Sequence, residues 1–330
     1  MINKNTQAIL LLCCHFSKAK KDDPSPLTPT EFKRFSNWLF EKKMNPSFLI
    51  DDFENIVSSW IDPKEKISTE RLKYLLGRGL EMSFALDKWA NTGIWIMTKK
   101  DPDYPKGLLD KLENLSPSII FGVGSKKLLG KGGLAIVGSR NINKVDEQFT
   151  SQISKKIAED GKSIVSGGAR GVDETAMLSA LQAEGTAIGI LADSLLEKSL
   201  SGKWRKYIKN NNLVLISTFY PEAGFNVGNA MARNKYIYCL SDAALVVKSG
   251  TKGGTITGAM ENLKKGWTPL WVRNSNDSNI GNTLINEAGG LWCNSNAKEI
   301  ESESFFTSQK KSAANTKEDT KKHSSQPELF

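Results

Sequence analysis

From residue 133 onward the chain alternates short apolar runs with stretches of helical periodicity. The runs are 134–137, 163–166, 187–191, 213–217, 243–247 and 269–272, and helical patterns such as 149–158 and 175–184 lie between them. The runs carry no polar alternation, as expected of strands covered by helices on both faces. Strands and helices in such regular succession make βαβ units, so the pattern predicts an α/β fold around a mostly parallel sheet. Two further β-like runs, 94–97 and 119–121, flank an amphipathic stretch opened by Pro105 and extend this domain upstream.

The first 90 residues read as helices. Thr28-Pro29-Thr30-Glu31 is a capping box with proline at the first helical position, and Phe32, Phe35, Trp38 and Leu39 follow as one apolar stripe. Further stripes are Leu49, Ile50, Phe53, Val57 and Trp60, then Leu72, Leu75 and Leu76, then Phe84, Leu86 and Trp89. The apolar run 8–14 is too short to span a bilayer, and lysines follow it where a cleavage site needs small residues. It predicts a buried amphipathic helix. Gly77-Arg78-Gly79 resembles the turn of a helix-hairpin-helix, but Arg78 replaces the expected apolar residue, so helix packing is the better reading. From about residue 296 the chain turns to Ser, Lys, Glu, Asn and Thr, too polar to offset its ordering entropy. The expected organisation is therefore a helical domain over 1–90, an α/β domain over 91–295 with its core at 133–275, and a disordered tail over 296–330.

Hydrophobic content of 39% and charged content of 25% fit an ordinary globular protein. The net charge of +9 changes the picture, because the last thirty residues hold five Lys and five acidic residues and leave the excess on the folded part. A polyanionic partner, nucleic acid or an acidic membrane surface, suits that excess. Cys13, Cys14, Cys239 and Cys293 show neither metal spacing nor a disulfide framework, which fits a reducing, cytoplasmic setting.

The chemistry concentrates in turns that follow the strands. Gly138-Ser139-Arg140 follows the first core strand, and Ser166-Gly167-Gly168-Ala169-Arg170-Gly171 the second. In a parallel sheet such turns emerge at the carboxyl edge, where open sheets bind ligands. A third arginine lies in Arg233-Asn234-Lys235. Lys252 with Gly253-Gly254-Thr255 precedes a helix running to about Lys264, and exposed amides at such a start form an anion nest; Lys248 sits near the same edge. Three arginines with glycine-exposed amides describe a phosphate site. A dinucleotide site would need G-x-G-x-x-G and an acid at the end of the second strand; Gly138-Ser139-Arg140-Asn141 and Ser166-Gly167-Gly168 supply neither. His15 and His323 lie outside the α/β region, and no Ser–His, Cys–His or metal-ligand grouping can be assembled. The reading is a binding protein, not an enzyme, with no cofactor. Asp173 reads as a helix-start acid or a partner of Arg170.

Taken in order, these motifs resemble the DNA-processing protein A (DprA/Smf) family. The resemblance rests on 135–140, on 166–173, on Arg233-Asn234-Lys235 and on 253–259, and covers about residues 90 to 275. It implies a Rossmann-like, doubly wound sheet behind a small helical N-terminal domain. It also implies sequence-independent binding of single-stranded DNA, a homodimer, and partnership with a RecA-type recombinase in recombination or natural transformation, with no membrane. By this likeness Arg140, Arg170 and the Arg233–Lys235 segment contact the DNA backbone, near the aromatics Tyr220, Phe225, Tyr236 and Tyr238. The chain departs from many members at Gly168, where Leu is common, and at Lys235, where Arg is common and binds phosphate bidentately. No C-terminal winged-helix domain is expected.

The terminal Gln326-Pro327-Glu328-Leu329-Phe330 resembles the pentapeptide that docks bacterial proteins on the sliding clamp, with Gln326, Leu329 and Phe330 as its anchors. The alternative function is a Rossmann-like nucleotide-binding enzyme of the phosphoribohydrolase type. The catalytic glutamate of such enzymes follows a glycine-rich turn, whereas the first glutamate after Gly253-Gly254-Thr255 is Glu261.

Overall fold

The computed structural model describes residues 2–18, 20, 22–275 and 280–307. Five helices come first: α1 (Lys4–Cys13), α2 (Pro29–Glu41), α3 (Phe48–Ser58), α4 (Thr69–Leu76) and α5 (Gly79–Asn91). Next are β1 (Trp95–Thr98), α6 (Lys106–Leu112) and β2 (Ile119–Gly124). The alternating region opens with β3 (Leu134–Val137), α7 (Lys144–Glu159), β4 (Ser163–Ser166), α8 (Val172–Gln182) and β5 (Thr186–Leu191). It continues through α9 (Leu195–Leu200), α10 (Gly202–Lys209), β6 (Leu213–Ser217), α11 (Val227–Cys239) and β7 (Ala243–Val246). Helix α12 (Gly254–Lys265), β8 (Leu270–Arg273), α13 (Ile280–Glu287) and β9 (Leu291–Cys293) complete it.

The strands hydrogen-bond in the order β1-β2-β6-β5-β4-β3-β7-β8-β9. Pairs β1/β2 and β2/β6 are antiparallel, whereas β3/β4, β3/β7, β7/β8 and β8/β9 are parallel. The fold is α/β with a mostly parallel sheet, as the apolar runs predict; β9, only three residues long, carries too little pattern to be foreseen. No helix among the described residues is long and apolar enough to cross a membrane.

The chain forms two compact units: Met1–Lys131 with Ile188–Leu240, and Gly132–Ala187 with the residues from Ser241 on. This division does not follow the linear boundary expected near residue 90. The physical reason is the antiparallel pairing of β2 with β6, Phe121 opposite Ser217, which joins distant stretches of chain within the first unit.

In the first unit, Ala8 to Leu12 are five consecutive buried residues, so α1 is enclosed on every side rather than amphipathic. Arg78 closes its C-terminal end: the guanidinium donates to the carbonyls of Leu11 and Cys14 and to Leu75, and lies over the Phe16 ring. The Gly77-Arg78-Gly79 turn is thus a helix cap, the packing role expected of it. Helix α2 has the foreseen capping box, Thr28 with Glu31. The stripe assigned to α5 is displaced, since Met82, Ala85 and Trp89 are buried while Phe84 is 69% exposed. Asp62 fixes the loop before α4. It accepts two hydrogen bonds from Arg34, at 2.6 and 3.0 Å, and others from the amides of Lys64, Lys66 and Ile67.

In the second unit, Asp146 at the start of α7 is the joint. Its carboxylate takes Lys248 Nζ at 2.7 Å and Arg273 Nη1 at 2.9 Å, so the chain after β7 and the end of β8 are both tied to α7. Arg273 also stacks over Phe149, 4.3 Å from the ring centroid. The folded part does not stop at residue 295. Ala297, Ile300 and Phe305 are buried, Phe305 meets Trp271 edge-on with centroids 5.6 Å apart, and Lys156 donates to the Ile300 carbonyl. Three apolar residues in a polar stretch suffice to anchor it through residue 307. The clamp-like Gln326, Leu329 and Phe330 lie outside the described residues.

Two outcomes follow for stability. Replacing Asp146 with Ala strands the buried Arg273 charge beside the half-buried Lys248 and should cost about 3–5 kcal/mol in urea denaturation. The hydrogen bonds from Arg34, opposed by burial, hold the Asp62 carboxyl well below the usual carboxylate range. A depressed pKa stabilises the fold above the unfolded-state value, and that stability is lost as pH falls through about 4 and below. Thermal melts between about pH 5 and pH 3 should therefore show a shallower decline in Asp62→Asn than in wild type.

Candidate functional site

The second unit winds its strands outward from β3, to β4 on one side and to β7 and β8 on the other. The order reverses between β3 and β7, and the crevice outside the carboxyl ends of strands at such a point is where open sheets bind ligands. The turns singled out in the sequence leave the strands there. Ser139 N donates to Lys248 O at 2.8 Å, and Val172 N donates to Ser139 O at 3.2 Å, so the turns after β3, β4 and β7 are bound to one another.

Glycine permits this approach. At Gly171 φ is +89°, and a Cβ there would lie 2.5 Å from the Ser139 carbonyl oxygen and 2.8 Å from Arg140 Cα. At Gly138 a Cβ would meet Val172 at 2.6 Å. The turn carrying Arg140 therefore rests on the turn carrying Arg170. Both arginines are exposed, as is Lys252. Gly167 is buried behind them, and Gly168 turns the chain at φ +62°. Gly253, at φ +107°, is the N-cap of α12, and Gly254 and Thr255 form its first turn. Asp173 is buried in the first turn of α8, where an acid complements the helix dipole.

Two expected cations are not on the surface. Arg233 is 5% exposed, and its guanidinium donates to the Ile190 carbonyl, so it braces α11 against β5 rather than meeting a ligand. Lys248 is half-buried and neutralised by Asp146. Asn234 and Lys235 are half-buried in the first unit, with Lys235 Nζ 5.1 Å above the Tyr236 ring. Of the aromatics, Tyr236 and Tyr238 belong to the core, Tyr220 is half-buried near His15, and Phe225 is 55% exposed.

Sequence reasoning missed the groups that hold the loops. Asn282, buried in α13, accepts from Ser249 N at 2.8 Å and donates to the carbonyls of Val247 and Arg273. Nothing in the local sequence marks it. Asp146 had a signal, because Asn143 three residues before it completes a capping box. The arrangement offers permanent positive charge at Arg140 and Arg170, a lysine at Lys252, and a helix start behind them. Such groups bind phosphate oxygens and supply neither a nucleophile nor a base.

The chain is similar in sequence and in fold to known proteins. The chain is 29% identical over 182 residues to the DNA processing protein DprA of Bacillus subtilis, covering 52% of this chain and 57% of that protein. It is 31% identical over 170 residues to the Protein Smf of Synechocystis, covering 49% and 42%. The chain thus spans about half the length of these relatives. Among solved structures, Streptococcus pneumoniae DprA shares the fold with a TM-score of 0.63 at 18% identity, over 83% of this chain and 94% of that one. A Helicobacter pylori DNA processing protein A, solved for its single-stranded DNA binding mode, gives a TM-score of 0.54 at 25% identity, over 67% and 98%. The family model described as DNA recombination-mediator protein A matches residues 95–303, more than half of the chain, and the chain belongs to that family.

Proposed function

We propose that the chain binds single-stranded DNA without sequence preference, through the turns after β3, β4 and β7. The observation that carries this reading is the contact between the two arginine turns at Gly171, with Arg140 and Arg170 both exposed, and Lys252 exposed in the loop after β7. A flexible polyanion is held by cations on its phosphates, and these turns carry them. The single-stranded DNA binding of the Helicobacter relative supports the same ligand.

Family membership supports work beside a RecA-type recombinase, as a homodimer in the cytoplasm, in recombination or natural transformation. The phosphoribohydrolase reading gains no support from the geometry. Glu261 lies about two turns inside α12, away from the Gly253 end where a substrate phosphate would sit. The terminal peptide supports docking on a sliding clamp.

Binding should follow salt with a slope near −0.7 per phosphate contact, and three exposed cations give roughly −2 in a plot of log affinity against log salt. Arg140→Glu and Arg170→Glu should each abolish oligonucleotide binding in fluorescence anisotropy while circular dichroism stays as in wild type. Unchanged affinity in both variants refutes the site. Deleting residues 326–330 should remove clamp association in a pull-down and leave DNA affinity intact; association that survives the deletion refutes the tail assignment.

A further inference from the structure

The first unit holds a cavity of about 210 Å³ that none of the preceding assignments uses. One face of α2 lines it with Phe32, Lys33, Ser36 and Asn37, the spacing of neighbours on a single helical stripe. The turn after β1 adds Lys99 and Lys100. Three ammonium groups therefore share one cavity, and among the described residues lining it there is no Asp or Glu. None of the three lysines forms an ion pair among the described residues. Lys99 is half-buried, and burial first and the Lys33 charge second hold its ammonium below the ordinary lysine range, with Cys13 acting in the opposite direction. Like charges gathered in a part-buried space oppose one another until an anion joins them.

The remaining lining is not that of a bare anion hole. Phe32, Ile9, Pro29 and Pro46 give it apolar surface, and Asn37 and Asn114 are among its neutral hydrogen-bonding groups. Apolar walls with a few convergent polar groups are the composition of small-ligand sites. We propose that this cavity binds a nucleotide, with its phosphates on Lys33, Lys99 and Lys100 and its base against Phe32. That chemistry has two sources, a free nucleotide and the phosphorylated end of a DNA strand. All the residues involved lie in the first unit, so the inference is independent of the arginine turns.

The test is titration calorimetry of the full chain with ATP and with pyrophosphate. Alongside it, anisotropy compares an oligonucleotide ending in phosphate with the same one ending in hydroxyl. The wild type should bind ATP, or should prefer the phosphorylated end. K33Q/K99Q/K100Q should weaken that binding about tenfold or more, with a melting temperature no lower than wild type because repulsion is removed. K33Q/K100Q changes only exposed lysines and should show the same direction. Phe32→Ala should weaken ATP more than pyrophosphate. ATP binding without end preference assigns the free nucleotide, and end preference without ATP binding assigns the strand terminus. Arg140→Glu should leave the calorimetric binding of ATP and pyrophosphate intact, which separates this site from the DNA-binding edge. The proposal is overturned if the wild type neither binds ATP nor prefers the phosphorylated end, if the lysine variants behave as the wild type does, or if ATP binds and Phe32→Ala weakens it no more than pyrophosphate.

Discussion

The second unit depends on one buried carboxylate. Asp146 sits where the first core turn becomes α7, and it holds Lys248 and Arg273 from two other strand ends. Without it, two cations would be left in or near the core with no countercharge, a cost that hydrophobic burial nearby cannot offset. Because its partners flank β7 and β8, this contact also fixes the floor on which the arginine turns stand. The basic character of the edge is thus partitioned: Lys248 and Arg273, which shape the loops, are neutralised by Asp146, whereas Arg140, Arg170 and Lys252 are exposed.

Arginine plays two parts in this chain. Arg78 and Arg233 are buried and spend their hydrogen bonds on backbone carbonyls, one closing α1 and the other bracing β5. Arg140 and Arg170 are exposed on glycine-bounded turns. A guanidinium is always charged, so burying it demands several well-placed acceptors. The carbonyls of Leu11, Cys14 and Leu75 provide them at Arg78, and the Ile190 carbonyl accepts from Arg233.

Much of this was legible in the sequence, for reasons that can be named. Strands β3, β4 and β6 fall where unbroken apolar runs lie between turn residues, since parallel strands covered on both faces leave no ambiguity of period. The α2 start was legible because a capping box with proline is a local signal. What escaped was decided by distant contacts. Arg233 reads as a ligand-binding cation in its local motif, and only the approach of β5 turns it into a structural group. Phe84 falls on the expected stripe of α5, yet packing selects Ala85 and leaves the larger ring in water. The stretch after residue 296 is polar on average, but Ile300 and Phe305 find ready partners on α7 and β8. At the candidate site the turn glycines and their two arginines were readable, whereas Asn282, which ties the β7 turn to α13, carries no local mark.

Gly171 has a consequence beyond its own turn. Its missing side chain lets one main-chain segment lie directly on another, so the gauge between the two arginine-bearing turns is a constant of the backbone. Rotamer changes cannot widen it. Under the function proposed above, the phosphates of a bound strand would meet the two turns at that one spacing.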